Sequence, residues 1–421
     1  MSSMGKIFSD LRAGLKDHFD RSIVIPADQV PLSASTTGLD EVEAVLRCFV
    51  EQRLTMGEKV LEFEARFAKY IGRKHAIMVN SGSSANLLMI EALCNPKTPR
   101  ALRLSAGDEV LVPAVTWSTT ITPVIGARLI PVLVDADLKT LNMSVGAAAN
   151  AISPRTKAIF LAHILGNSAD MAPFIELAKK HDLILLEDSC EALGTEYGGK
   201  KTGTFGLGAS YSFYFSHHIT TIEGGMIVTD DDEYAELLRC LRAHGWTRHM
   251  HTREALEKEH SHLDPRFLFV NTGFNVRSTD VNAAIGLKQL EKLEGFNRAR
   301  VEIARLTRQA LEPFTEHFTW IEPTKSAYHT WFGFPFLLNL DESRADFMRH
   351  LAKWNIETRP IVAGNLAEQP FLKLFPHRLG GPLPAAQAIM RRGIYWGSHP
   401  QMNQAHVDHI AKAVSAFFQK Q

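Results

Sequence analysis

Ala158-Ile159-Phe160-Leu161-Ala162, a helical stretch over 171–180, and Leu183-Ile184-Leu185-Leu186-Glu187 together make one strand–helix–strand unit. Neither apolar run alternates with polar residues, which is the pattern of a strand covered on both faces. The same beat continues upstream. Ala76–Val79, Glu109–Val112 and Arg128–Val134 are further strand-length runs, separated by helical patterns at 84–94, 118–125 and 145–151. Downstream, Tyr211–Tyr214 and Gly225–Val228 add two more strands, the second entered through Gly224-Gly225. Strands alternating with helices predict a three-layer α/β/α sandwich around a mostly parallel mixed sheet.

Outside that block the pattern changes. Residues 1–30 form a helical lead-in, with Ile7, Leu11, Leu15 and Phe19 on one face and Pro26 and Pro31 ending it. Two helices follow between Leu39 and Tyr70, broken near Thr55–Glu58, and Phe63, Phe67 and Tyr70 make a core stripe. Beyond helices at 232–242, 281–293 and 296–313, extended runs at Trp331–Leu338 and Ile356–Pro360 mix with helices near 342–353, 385–391 and 407–418. The organisation expected is a lead-in over 1–30, a large domain over 31–293 and a smaller α+β domain over 294–421.

Composition narrows the function classes. Of 421 residues, 46 are Lys or Arg and 46 are Asp or Glu, so the basic excess of a nucleic-acid binder is missing. The four cysteines, 48, 94, 190 and 240, are dispersed and read as reduced thiols. No apolar run is long enough for a membrane span and no leader-type segment is evident, so a cytoplasmic location is expected. His249, His251, His260 and His262 fall in a polar stretch, 246–266, without tight ligand spacing, and are read as a solvent-facing loop or subunit contact. No metal site is expected.

In such sheets ligands gather beyond the C-terminal ends of the strands. Asn80-Ser81-Gly82-Ser83-Ser84-Ala85-Asn86 leaves a strand and opens a helix, and its small hydroxyl residues suit a phosphate or a plain helix cap. Asp188, at a strand end, could pair with a protonated ring nitrogen or merely form a turn. Trp117 is either a core aromatic or a flat platform for a ring. Ser212 precedes His217 by five residues, and Glu223-Gly224-Gly225 closes the segment.

Taken in order, these motifs resemble the DegT/DnrJ/EryC1/StrS family of pyridoxal-phosphate sugar enzymes, a branch of the aspartate aminotransferase (type I) fold. The resemblance runs from about Pro31 to the C-terminus and includes Gly203-Thr204-Phe205-Gly206 and Gly273-Phe274-Asn275-Val276-Arg277. One residue departs from the family pattern: His217 stands where the cofactor lysine is expected, and no lysine occurs in 202–225. An imidazole can move protons but cannot form the internal Schiff base. With Arg242–Arg248 and Trp331-Phe332-Gly333-Phe334, the chain is most similar to the branch that removes the C3 hydroxyl of GDP-4-keto-6-deoxy-D-mannose.

The resemblance implies roles. Ser83, Ser84 and Ser212 would hold the cofactor phosphate, with Asn275 reaching in from a partner subunit of a homodimer. Trp117 would stack on the ring, Asp188 would bind its nitrogen, and Glu191 would face its hydroxyl. His217 would be the acid–base group. Arg242, Arg248 or Arg277 would meet the phosphates of the nucleotide sugar. Pyridoxal or pyridoxamine 5′-phosphate would be bound non-covalently, L-glutamate would supply the amine, and ammonia and 2-oxoglutarate would leave.

Three rivals stand beside this reading. A CDP-4-keto-6-deoxy-D-glucose 3-dehydrase also carries histidine, but couples through an iron–sulfur cluster and a reductase. Only Cys190 lies near the matching region, so neither cluster nor reductase partner is expected. A sugar-nucleotide aminotransferase needs the missing lysine. A non-catalytic structural or regulatory homologue would have little reason to keep all these residues together. The nucleotide, GDP or CDP, is not legible in the side chains.

Overall fold

The structure is a computed structural model and describes residues 3–22, 24–339 and 344–419. Strands in chain order are β1 (His75–Val79), β2 (Glu109–Pro113), β3 (Ile130–Val134), β4 (Thr156–Ala162), β5 (Ile184–Asp188), β6 (Glu196–Tyr197), β7 (Lys200–Lys201) and β8 (Gly208–Ser212). They continue as β9 (Gly225–Thr229), β10 (Phe318–Trp320), β11 (Ala327–Tyr328), β12 (Gly333–Leu338), β13 (Thr358–Pro360), β14 (Arg378–Leu379) and β15 (Gly393–Gly397). Eight of them make the main sheet in the order β1-β9-β8-β5-β4-β2-β3-β14. β9 runs antiparallel to both neighbours, and the remaining pairs are parallel. This is the mixed, mostly parallel sheet that the apolar runs predict.

Alternate residues of each strand feed opposite cores, as the two-residue period of a strand requires. Val110, Val112, Ala158, Phe160 and Leu186 join the side chains of helix Gly82–Leu93, while Leu111, Ile159, Leu161 and Leu185 meet Phe174 and Ala178 on the other face. Phe63 and Phe67 belong to a third cluster, with ring centroids 5.3 Å from Phe213 in each case. That packing pins the chain just past β8, where the segment leading to His217 begins. A four-stranded sheet, β10-β12-β15-β13, forms the smaller C-terminal layer.

Several details differ from the sequence reading. β8 ends at Ser212, not Tyr214, because Phe213 N–H turns to Gly224 O at 2.9 Å and Tyr214 and Phe215 swing outward. The helices expected at 281–293 and 296–313 are one helix, Asp280–Ala310, which crosses the expected domain boundary without a break. β14 also returns to the edge of the main sheet. The stretch 246–266 contains a helix, Arg253–Glu259, between two 3-10 turns. In the lead-in helix, Ser3–Ser22, Phe8 is buried under the Arg47 guanidinium at 4.2 Å, whereas Ile7 faces outward. The start of the helix expected at 342–353 lies partly outside the described residues. Among the described residues no helix is long and apolar enough to cross a membrane.

Candidate active site

Five strand ends converge on one side of the main sheet. β1 runs into the serine-rich turn, where Ser81 caps helix Gly82–Leu93 by accepting from Ser84 N–H at 3.1 Å. Gly82 lies against the end of β8. A methyl group there would sit 2.7 Å from Ser212 Cβ and 2.8 Å from Cys190 Sγ, so only glycine allows the helix start to approach so closely. Ser83 is exposed and donates to Thr119 Oγ1 at 3.2 Å. Gly82 thus brings the helix start that carries Ser83 and Ser84 against Ser212, and hydroxyls at a helix N-terminus suit a phosphate.

Asp188 closes β5 and is buried. Its Oδ2 accepts from Asn86 Nδ2 at 2.8 Å and from Thr120 Oγ1 at 2.9 Å, and Thr116 and Thr120 hydroxyls meet at 2.9 Å. Cys190 N–H donates to Oδ1 at 3.2 Å. The carboxylate is therefore fixed from three elements. Trp117, by contrast, is 59% exposed, so much of its indole is open. Glu187 points to the opposite face of the sheet and accepts from Gly203, Phe205 and Gly206 N–H at 2.7–2.8 Å, which shapes the Gly203–Gly206 turn.

Glu191 follows three residues after Asp188 and accepts from Leu165 N–H at 2.8 Å. Burial, reinforced by nearby Asp188, pushes its carboxyl up to about 7. It can therefore carry a proton at neutral pH and donate to an anionic oxygen.

His217 and His218 differ sharply. His217 lies edge-on to the Phe332 ring, with centroids 5.0 Å apart, and to Tyr214 at 5.9 Å. Its Nδ1 has no hydrogen-bond partner. Burial, with Arg300 adding to it, pushes the imidazole down to about 3, so it is neutral near pH 7. His218 is fully buried and its Nε2 meets Thr330 Oγ1 at 3.0 Å. The first is an unpartnered base; the second is a bonded core residue.

The cations expected at the nucleotide separate into two groups. Arg242 is not free: it is 1% exposed, ion-paired to Glu64 at 2.5 Å and donates to Met78 O at 2.7 Å. In this structure Arg242 braces β1 through Glu64 and Met78 and does not stand open to a phosphate. Arg248 is exposed over the Trp246 ring at 5.1 Å. Arg277 Nε donates to Oδ1 of exposed Asn275 at 3.0 Å, and the bridge between Val79 and Arg277 places this pair beside the end of β1. The sequence reading assigned no role to Asn86, Thr120, Leu165, Thr330 or Phe332. Asn86 left a signal as a polar residue one turn inside the helix, and Phe332 as part of the Trp331–Phe334 motif.

Among the described residues no group of three or more His, Cys, Asp or Glu side chains could hold a metal, and all four cysteines are free. The phosphate cradle at Gly82, the anchored strand-end carboxylate and the open indole fit pyridoxal 5′-phosphate. They define a type I pyridoxal-phosphate fold, and the chain belongs to the DegT/DnrJ/EryC1/StrS aminotransferase family, matched over residues 36–415. Within it the chain is similar to GDP-4-keto-6-deoxy-D-mannose 3-dehydratase of Yersinia pseudotuberculosis, 40% identical over 88% of this chain and 94% of that one. The Escherichia coli GDP-4-keto-6-deoxy-D-mannose-3-dehydratase with bound hydrated PLP superposes with a TM-score of 0.85 at 37% identity, covering 91% of this chain and 99% of that one. A GDP-4-keto-6-deoxymannose-3-dehydratase with a trapped PLP–glutamate geminal diamine gives 0.84 at 36%, covering 91% and 100%.

Proposed function

We propose that this chain is a PLP/PMP-dependent 3-dehydratase of a GDP-linked 4-keto-6-deoxyhexose, recharged by L-glutamate and releasing ammonia and 2-oxoglutarate. The observation that carries the reading is His217: a neutral, unpartnered imidazole in the segment between Ser212 and Gly224, with no lysine in 202–225. When bound, the cofactor supplies the amine that engages the C4 ketone and a ring that takes up electrons.

The protein's own groups do the rest. Ser83, Ser84 and Ser212 hold the phosphate, and Trp117 covers one ring face. Asp188, held in place by Asn86 and Thr120, pairs with the protonated ring nitrogen. Glu191 faces the ring hydroxyl. His217 takes the proton from cofactor C4′ and delivers it to the departing C3 oxygen. A neutral imidazole starts that sequence as a base and becomes a strong acid once protonated in a buried site. Without a lysine tether the cofactor is held by non-covalent contacts alone.

A homodimer with a shared site completes the reading. Asn275 and Arg248 are exposed, and Trp117, Tyr214, Phe215 and Ile222 leave apolar surface around the site. A partner's Asn275 at the phosphate, with Arg248 and Arg277 near the nucleotide, would cover that surface. Mixing inactive His217→Asn protomers with inactive Asn275→Ala protomers should restore part of the activity if sites are shared. The division into 1–30, 31–293 and 294–421 is proposed on the separate four-stranded sheet, with the Asp280–Ala310 helix as the link.

The test is spectroscopic. Glutamate added to the PLP-loaded protein should convert the aldehyde spectrum to that of the amine, and the 4-keto sugar nucleotide should then release ammonia. An aldehyde spectrum unmoved by glutamate sinks the proposal. Turnover on the GDP-mannose-derived against the CDP-glucose-derived substrate decides the nucleotide.

A further inference from the structure

Behind the two histidines lies a buried cation without a counter-ion. Arg300, in the middle of the Asp280–Ala310 helix, is 3% exposed. Its Nη1 donates to Phe332 O at 3.0 Å, to Trp331 O at 3.4 Å and to Ser398 O. No carboxylate pairs with it among the described residues, and desolvation alone acts on it, pushing it down to about 10. Its Nε has no partner at all. An unpaired guanidinium is among the costliest groups to bury. Neutral side chains could satisfy the same carbonyls at smaller cost, so the charge itself calls for a reason.

Two of these three carbonyls, those of Trp331 and Phe332, belong to a strap that overlies the histidines, and the third, Ser398 O, follows β15. Thr330 binds His218, and the Phe332 ring abuts His217. Phe332 N–H donates to Leu165 O at 2.9 Å, and Leu165 N–H donates to Glu191. Trp331, between them, holds φ at +22°, a conformation that a bulky side chain rarely adopts. Arg300 grips the carbonyls of Trp331 and of the next residue, so it holds the strap in this strained form. One guanidinium thereby fixes the ring that places His217 and the backbone that places Glu191.

We propose that Arg300 is a positioning residue for the dehydration: it anchors the Thr330–Phe332 strap that walls His217, and it does so as a cation set behind the two imidazoles. The groups acting electrostatically on His217 and its neighbour are Arg300 from the long helix and the two imidazoles themselves; Tyr214, Phe332 and Thr330 contribute neutral walls. A proton accepted by His217 from carbon then sits beside a second positive charge. It passes readily to the leaving oxygen, which departs as water while the imidazole returns to neutrality. The inference rests on the proposed role of His217, so its test includes a reading that needs no turnover.

That reading is the imidazole titration of the cofactor-free protein, followed by NMR of isotope-labelled histidine, with His217 assigned by difference against His217→Asn. In the wild type His217 should stay neutral to at least about pH 5, well below its ordinary midpoint near 6.5. In Arg300→Met its midpoint should rise by about one pH unit or more, and Arg300→Lys should return it part of the way. The acid limb of kcat/KM should move with it, and kcat should fall by about tenfold or more while KM for glutamate changes little. A wild-type His217 that titrates near 6.5 overturns the proposal even if no Arg300 variant folds. So does a folded Arg300→Met whose His217 midpoint is unchanged. If the titrations behave as expected but ammonia is never released from the sugar substrate, the proposed reaction fails while the charge effect stands.

Discussion

Asn86 and Asp188 are 102 residues apart in the chain and 2.8 Å apart in the fold, amide nitrogen to carboxylate oxygen. The helix that opens the phosphate cradle therefore also fixes the acid under the ring. With Thr120 on the same oxygen at 2.9 Å, Asp188 cannot rotate without giving up both bonds. Replacing Asn86 with Leu, or Thr120 with Val, should cost about 1–3 kcal/mol of cofactor affinity through the misplaced carboxylate. Equilibrium dialysis of PLP against each variant measures it. An affinity equal to wild type for both variants would show that Asp188 holds its place unaided.

His217→Asn should keep cofactor affinity near wild type and lower dehydration by roughly 10²–10⁴-fold, the usual worth of a positioned acid–base group. His217→Lys should restore an internal Schiff base, visible as a shifted absorption band, and favour transamination with the C3 hydroxyl retained. His218→Asn should instead lose stability, since Thr330 Oγ1 and the buried ring site lose their fit. A dead His218→Asn beside a fully active His217→Asn would exchange the two assignments.

Gly82→Ala should fail at the site before it fails in the fold. The added methyl needs room now held by Ser212 Cβ and Cys190 Sγ, 2.7 and 2.8 Å away. Shifting β8 or the helix start opens the phosphate cradle, so PLP retention after gel filtration should drop sharply. Thermal stability of the cofactor-free protein should fall by less than in a core truncation, about 1–3 kcal/mol. A variant that retains PLP as wild type does would place the phosphate elsewhere.

Acid should destabilise this protein through histidines rather than only through carboxylates. Burial depresses His217 and His399 to about 3 and holds His218 well below its ordinary value. Above pH 6.5 neither folded nor unfolded forms of these rings carry a proton, and they contribute nothing. As pH falls through that value, the unfolded chain binds protons that the folded one refuses, so stability drops. Each such ring adds a slope of about 1.4 kcal/mol per pH unit between its unfolded and folded midpoints. Denaturant melts from pH 7 to 5 should show this slope, reduced by about one proton in His399→Gln. A flat profile over that range would mean that water reaches these rings.

Much of this molecule is legible without coordinates. The apolar runs mark the strands because a strand covered on both faces carries few polar groups, and the rare buried one must be bonded as Glu187 is; the serine-rich turn and Asp188 sit at strand ends, with His217 just beyond β8. Local pattern also marks Gly82 and the Glu223-Gly224-Gly225 turn. It fails where a residue's meaning depends on a distant neighbour. Arg242 lies in a stretch that suggests a nucleotide contact, yet Glu64, 178 residues away, claims its charge. Asn86 becomes a partner of Asp188, and Phe332 becomes a wall of His217, only once the helix packs on the sheet and the strap crosses back. Arg300 reads as one more cation on a long helix until the fold buries it among carbonyls with no acid beside it. Sequence periodicity reports which face of an element is apolar; hydrogen bonds and fields between elements arise from distances of a few ångströms that chain order does not contain.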